Sequence, residues 1–253
     1  VTAFGLGTDG GGSVRIPAGF TGVFGLKPTA GRIPVHPASA FGTLSHVGPI
    51  TRSVEDAALM MNVMIQPDPR DWYSLPYDPW DYRAGLDLGV RRLRIAYSAN
   101  LGYVNVDPEI AEIVAGAAQV FVELGAAVEA ADPGFDDPID CFNKHWYWGC
   151  NQMISAYPEA ARADMDPGIV EVAAEGAGYS MAEYGRAMEE RVALGETMNA
   201  FHTDFDLMLT PALPIAAFDA GQEVPDPAAA KRWTDWTPFS YPFNLTQQPA
   251  ISV

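Results

Sequence analysis

The 253-residue sequence is poor in positive charge: 15 Lys and Arg stand against 32 Asp and Glu, a formal net charge of −17. A chain this acidic lacks the excess of cations that direct binding to nucleic acid or to an anionic membrane surface requires. No run approaches the ~18 consecutive apolar residues of a membrane-spanning helix, so no membrane segment is expected. There are only two cysteines, Cys141 and Cys150, without zinc or redox spacing; they read as reduced, mostly buried thiols, with the cytosol as the default compartment. The four histidines, His36, His46, His145 and His202, offer no i,i+4 pair and no carboxylate-rich cluster, so neither a metal site nor a cofactor is expected. Charged residues are scarce at 19% while apolar ones reach 48%. That balance excludes wholesale disorder and supplies a core that needs no staples.

Glycine and proline, by contrast, are plentiful at 24 and 21, which implies many turns and close backbone approaches. Residues 1–6 read as the end of a buried strand leading into a loop over 7–13. Ser53 opens a helix through the capping-box-like Ser53-Val54-Glu55-Asp56, and the apolar run 57–65 continues it. Residues 66–87 carry Pro, Asp and aromatics without a period and form an irregular connection. A strand over 93–97, a helix begun by Asp107-Pro108 and ended by Gly125, and a strand over 126–130 make a βαβ unit with a parallel component. The helix's apolar stripe is Ile110, Ile113, Val114, Ala117, Val120, Phe121 and Leu124. Residues 139–205 are mostly helical, with Ser180-Met181-Ala182-Glu183 a full capping box opening a helix to about His202. A short buried strand follows at 206–210, then a loop over 224–238. The fold class is α/β. The chain opens almost inside a glycine-rich loop and closes in a strand-like segment, so both ends are expected to be internal to a longer protein.

The glycine loop runs Gly5-Leu6-Gly7-Thr8-Asp9-Gly10-Gly11-Gly12-Ser13-Val14-Arg15-Ile16-Pro17. A dinucleotide fingerprint needs a long helix next and an acidic residue about 20 positions on. Pro17 and Pro28 oppose the first, and after Asp9 the next acid is Glu55. A phosphate-binding P-loop needs Lys where Gly12 stands, and a G-x-S-x-G elbow needs Gly where Arg15 stands. Two readings remain open on the residues alone. Ser13 is a nucleophile whose glycine neighbours turn their N–H groups toward an oxyanion, or the segment is a tight turn whose serine caps a helix.

The segment from Gly7 to Pro17, continuing through Gly22-Val23-Phe24-Gly25-Leu26-Lys27-Pro28-Thr29 to Gly31-Arg32, closely resembles the latter half of the amidase signature. Further blocks resemble it in order: Gly48-Pro49-Ile50-Thr51-Arg52-Ser53-Val54-Glu55-Asp56, Asp206-Leu207-Met208-Leu209-Thr210-Pro211, and Asn244-Leu245-Thr246 with Pro249-Ala250-Ile251-Ser252-Val253. The resemblance covers essentially the whole chain, with residues 66–200 matching only loosely. It implies a mixed, largely parallel sheet flanked by helices on both faces, and amide hydrolysis or transfer through a Ser–cis-Ser–Lys triad. On it, Ser13 is the nucleophile, and the backbone of Gly10, Gly11 and Gly12 with that of Ser13 forms the oxyanion hole. The family's lysine base and bridging cis-serine lie upstream of the nucleophile. Residues 1–253 are therefore expected to be a fragment of a single domain, without those two partners or the C-terminal end, and inactive alone. Lys27 falls on a family lysine thought structural and is not the base.

Asp9 and Arg15 flank Ser13 and are expected to pair and hold the loop, with contact between Arg15 and substrate the weaker reading. A Ser–His–Asp triad drawing on one of the four histidines has no motif behind it. The runs Trp72-Tyr73, Trp80-Asp81-Tyr82 and His145-Trp146-Tyr147-Trp148 either pack core and interface, the favoured reading, or line an apolar acyl pocket. The function expected is an amide hydrolase working through an acyl-enzyme at Ser13. The alternatives are the amide-hydrolysing component of a transamidation assembly and a non-catalytic interaction module. The expected partner is a small-molecule amide, with a homodimer left open.

Overall fold

A computed structural model describes residues 4–253; the first three positions of the expected opening strand lie outside the described residues. In chain order the elements are β1 (Phe4–Asp9), α1 (Arg15–Thr21), β2 (Phe24–Lys27), β3 (His46–Thr51), α2 (Val54–Met64), β4 (Arg94–Tyr97), α3 (Pro108–Glu123) and β5 (Ala127–Ala130). There follow α4 (Ile139–Ser155), α5 (Pro167–Ala177), α6 (Met181–Asp204), β6 (Leu207–Leu209), α7 (Tyr241–Leu245) and β7 (Ala250–Ser252). Among the described residues no helix is long and apolar enough to cross a membrane.

The architecture is mixed α/β. The parallel component is a three-stranded sheet of order β5-β4-β6, in which β4, α3 and β5 make the βαβ unit. The nucleophile segment instead belongs to a four-stranded sheet of order β1-β3-β2-β7, antiparallel throughout. In its register Asp9 stands opposite His46, and Gly25 opposite Ser252.

Local signals produced the expected ends. Ser53 accepts from the Asp56 amide at 3.2 Å, Asp107 from the Glu109 amide at 2.9 Å, and Ser180 with Glu183 closes its capping box. Each cap satisfies N–H groups that have no partner inside their own helix.

Burial departs from expectation in three places. β1 runs on to Asp9 through part of the expected loop, and its Leu6 is 67% exposed rather than buried. Among the described strands β1 pairs on one side only, with β3, which leaves that edge open. β6 is only half covered, with Leu207 exposed, because it too is an edge strand. In α3, Ile110, Val114, Ala118 and Phe121 turn inward, while Ile113, Ala117, Val120 and Leu124 of the expected stripe face solvent. The helix is apolar on both sides, and only one of them packs.

The main core lies where α4, α6 and α7 meet. Phe142, Ala187, Leu194, Tyr241 and Leu245 are buried there around Leu44. Full burial of each large member contributes roughly 1.5–3 kcal/mol. Next to it, Tyr147, Cys150 and Ile154 of α4 meet Val172 and Ala173 of α5. These two helices approach so closely that a Cβ on Gly176 would sit 2.1 Å from the Tyr147 carbonyl oxygen. Helix propensity favours alanine over glycine by about 1 kcal/mol, but the obstacle is main chain and cannot rotate away. Gly176→Ala is expected to destabilise the full-length protein by roughly 1–3 kcal/mol and lower its thermal midpoint. A midpoint unchanged or raised would contradict this packing.

Candidate active site

The site is built where β1 hands over to α1. The strand delivers Asp9 fully buried, the turn 10–13 follows, and Val14, 0% exposed, caps α1 and anchors it to the core. Proline at position 17 is tolerated because it falls in the first helical turn. The turn requires glycine at position 12, whose φ of +137° suits no other residue well. Ser13 is exposed at the top of this turn.

What holds the turn is the Asp9 carboxylate. Its Oδ1 accepts from the amide of Gly12 at 2.8 Å, from Arg15 Nη2 at 2.9 Å and from Asn244 Nδ2 at 2.9 Å. Its Oδ2 accepts from Arg15 Nε at 2.9 Å and from the Val14 amide at 3.3 Å. Burial alone would raise the Asp9 pKa. The Arg15 charge, the hydrogen bonds from Arg15 and Asn244 and the Lys27 charge outweigh it and hold the carboxyl well below the usual range.

Arg15, 4% exposed, spends its remaining donors on the scaffold too: Nη1 donates to the Ser240 carbonyl at 2.9 Å and Nη2 to Asn244 Oδ1 at 2.6 Å. Asn244 Nδ2 also reaches the carbonyls of Asp9 and Leu44, each at 3.0 Å. Ser240 Oγ donates to the Gly11 carbonyl at 2.6 Å, with the Thr237 carbonyl at 3.0 Å sharing its proton. The start of α7 thus braces the turn from behind. The block containing Asn244 stood out in the sequence, but its role in the site did not, and nothing singled out Ser240.

The occupied amides define those left for chemistry. Gly12, expected among the oxyanion donors, has its N–H bound to Asp9 Oδ1 and is not open to an oxyanion in this geometry. The N–H groups of Gly10, Gly11 and Ser13 make no hydrogen bond among the described residues. Gly10 and Gly11 are also sites of close aromatic approach: a Cβ on either would lie 2.5 Å from the ring of Trp146 or Trp233, respectively.

No described side chain hydrogen-bonds Ser13, so its activating base is not found here. Lys27 is 0% exposed and its Nζ donates to the Gln248 carbonyl. Burial pushes its pKa well down, the Arg15 charge adds to this, and Asp9 opposes it. The Nδ1 atoms of His46, His145 and His202 lie 2.8, 2.9 and 3.1 Å from the carbonyls of Leu44, Cys141 and Phe205, and His36 is exposed. None of the four forms a triad with Ser13.

The model of the amidase family matches residues 1–253. The chain belongs to the amidase signature family. It is 35% identical to an acylamidase of Rhodococcus erythropolis over 257 residues, covering 98% of this chain and 53% of that protein. It is 34% identical to the glutamyl-tRNA(Gln) amidotransferase GatA-type chain of Synechococcus sp. CC9902, with 98% and 55% covered. Among solved structures, a bacterial aryl acylamidase of the family superposes with a TM-score of 0.87 at 32% identity, over all of this chain and 55% of the other. The chain spans about half the length of the curated relatives it matches.

His46, buried opposite Asp9, supplies a pH test of the site. Burial and the Lys27 charge bring its pKa down to about 3, against weaker support from the Leu44 carbonyl and Asp9. The unfolded chain takes up this proton near pH 6.5, the folded one only near 3. The favourable contribution is therefore complete above pH 6.5 and is lost as pH falls toward 3, by up to about 1.4 kcal/mol per unit. In the full-length protein the thermal midpoint is expected to fall between pH 7 and pH 5, and to fall less in His46→Asn. Equal falls in both proteins would place His46 in a solvated setting.

Proposed function

We propose that the full-length protein hydrolyses amides by acyl transfer to Ser13. The observation that carries this reading is an exposed serine beside the unpaired amides of Gly10, Gly11 and Ser13, on a turn braced by a buried ion pair. Ser13 Oγ attacks the amide carbonyl carbon, and the oxygen of the tetrahedral intermediate takes its negative charge to those N–H groups. Each such donor contributes about 3–4 kcal/mol to the barrier reduction. Collapse breaks the C–N bond and releases ammonia or an amine with one proton; water then cleaves the Ser13 ester. A serine hydroxyl is a weak nucleophile until a base takes its proton. On this reading the base is a lysine acting through a bridging cis-serine, both N-terminal to Val1. The substrate is a small-molecule amide, and the compartment is the reducing cytosol, in keeping with the buried free thiols of Cys141 and Cys150.

A second reading is favoured by the amidotransferase chains among the relatives: the same chemistry at Ser13, with ammonia passed to a partner protein. Ammonia release by the purified full-length protein without any partner supports the first reading. Release only in a complex supports the second.

In the full-length protein Ser13→Ala is expected to lower kcat by roughly 10⁴-fold or more while leaving the thermal midpoint close to that of the parent. A fluorophosphonate should label Ser13 alone. Labelling of another serine, or near-parental turnover by the alanine variant, would overturn the assignment.

A further inference from the structure

We propose that Trp146 and Trp233 form the wall against which the substrate's acyl group lies, so that the site prefers a flat, uncharged aromatic or conjugated amide. This inference rests on Ser13 as the nucleophile and adds the residues that choose its substrate. Trp146 comes from the middle of α4 and Trp233 from the start of the 3-10 turn Trp233–Trp236, far apart in sequence, yet both close on the same two residues. Glycine at positions 10 and 11 is what lets the indole rings lie against the turn: a Cβ would meet Trp146 Cζ3 at 2.5 Å on Gly10, and Trp233 Cη2 at 2.5 Å with Phe142 Cζ at 2.8 Å on Gly11. The same two glycines carry unpaired amides. A carbonyl drawn to those amides therefore brings its attached group up to the two rings.

The cluster is not plain core. Phe142 is fully buried and forms a floor, whereas both tryptophans are only half-buried. Their rings stand at 80° with centroids 5.3 Å apart, and Phe41 backs Trp146 in a stacked pair at 4.2 Å. A right-angled corner of this kind offers a flat ring one face to stack on and one edge to meet, both favourable arrangements. The corner itself is built of aromatic rings, so it supplies no ion partner for a charged acyl group.

Benzamide and cyclohexanecarboxamide, equal in carbon count and alike in size but flat and puckered respectively, test this. In full-length protein carrying Ser13→Ala, calorimetry gives their dissociation constants without turnover. Benzamide is expected to bind roughly two- to twelvefold more tightly, and the ratio should collapse toward one on adding Trp146→Leu or Trp233→Leu. The Phe variants, which keep a smaller flat face, should lie between. Equal affinities in the Ser13→Ala protein, binding of neither amide, or a ratio untouched by the Leu and Phe changes would each overturn the wall. The ratio before any tryptophan is changed decides the matter even if the Leu variants fail to fold. Steady ammonia release by the Ser13→Ala protein is the separate result that would overturn the nucleophile instead.

Discussion

The buried carboxylate of Asp9 is the constraint on which the rest of the site depends. Five N–H donors converge on it, from Gly12, Val14, Arg15 (twice) and Asn244. A carboxylate so far from water stays ionised only because the Arg15 guanidinium lies against both its oxygens. Such a pair is weak evidence for net stability, since desolvation offsets much of the attraction. Removing one member, however, costs about 3–5 kcal/mol by stranding the other charge. Its value here is positional. By occupying the Gly12 and Val14 amides it fixes the path of the turn, and the amides it leaves unpaired are those beside Ser13.

The same cluster shows why neighbouring titratable groups are poor candidates for the base. Lys27 and His46 are both driven toward their neutral forms by burial. Lys27 is bound to a main-chain carbonyl, and His46 has its Nδ1 on the Leu44 carbonyl, which also accepts from Asn244. They belong to the packing behind the turn. β3, β7 and α7 thus supply the back of the site, and α1 its front. Ser13 emerges on the side away from these groups' hydrogen bonds.

How much of this was legible in sequence follows from the range of the interactions. The caps at Ser53, Asp107 and Ser180 act within three residues, and all three helices begin where those residues place them. The Asp9–Arg15 pair spans six residues and was within reach of a local reading. Asn244 lies 235 residues from Asp9, and only the folded chain shows that its side chain bridges the pair. The glycines carried a double signal: their spacing suggested a row of oxyanion donors, whereas Gly12 spends its amide on Asp9 and Gly10 and Gly11 also make room for tryptophan rings. The apolar opening of β1 read as buried, yet strand burial depends on what pairs with its second edge, which one strand's residues do not encode.

A crystal structure of the full-length protein after reaction with a small fluorophosphonate tests the central claim most directly. The phosphonyl oxygen mimics the oxyanion of the tetrahedral intermediate. It is expected on Ser13, about 2.7–3.1 Å from at least two of the amides of Gly10, Gly11 and Ser13, with the Gly12 amide still on Asp9 Oδ1. An adduct whose oxygen takes the Gly12 amide away from Asp9, or one formed on a different serine, would contradict a turn held in place by the Asp9 carboxylate.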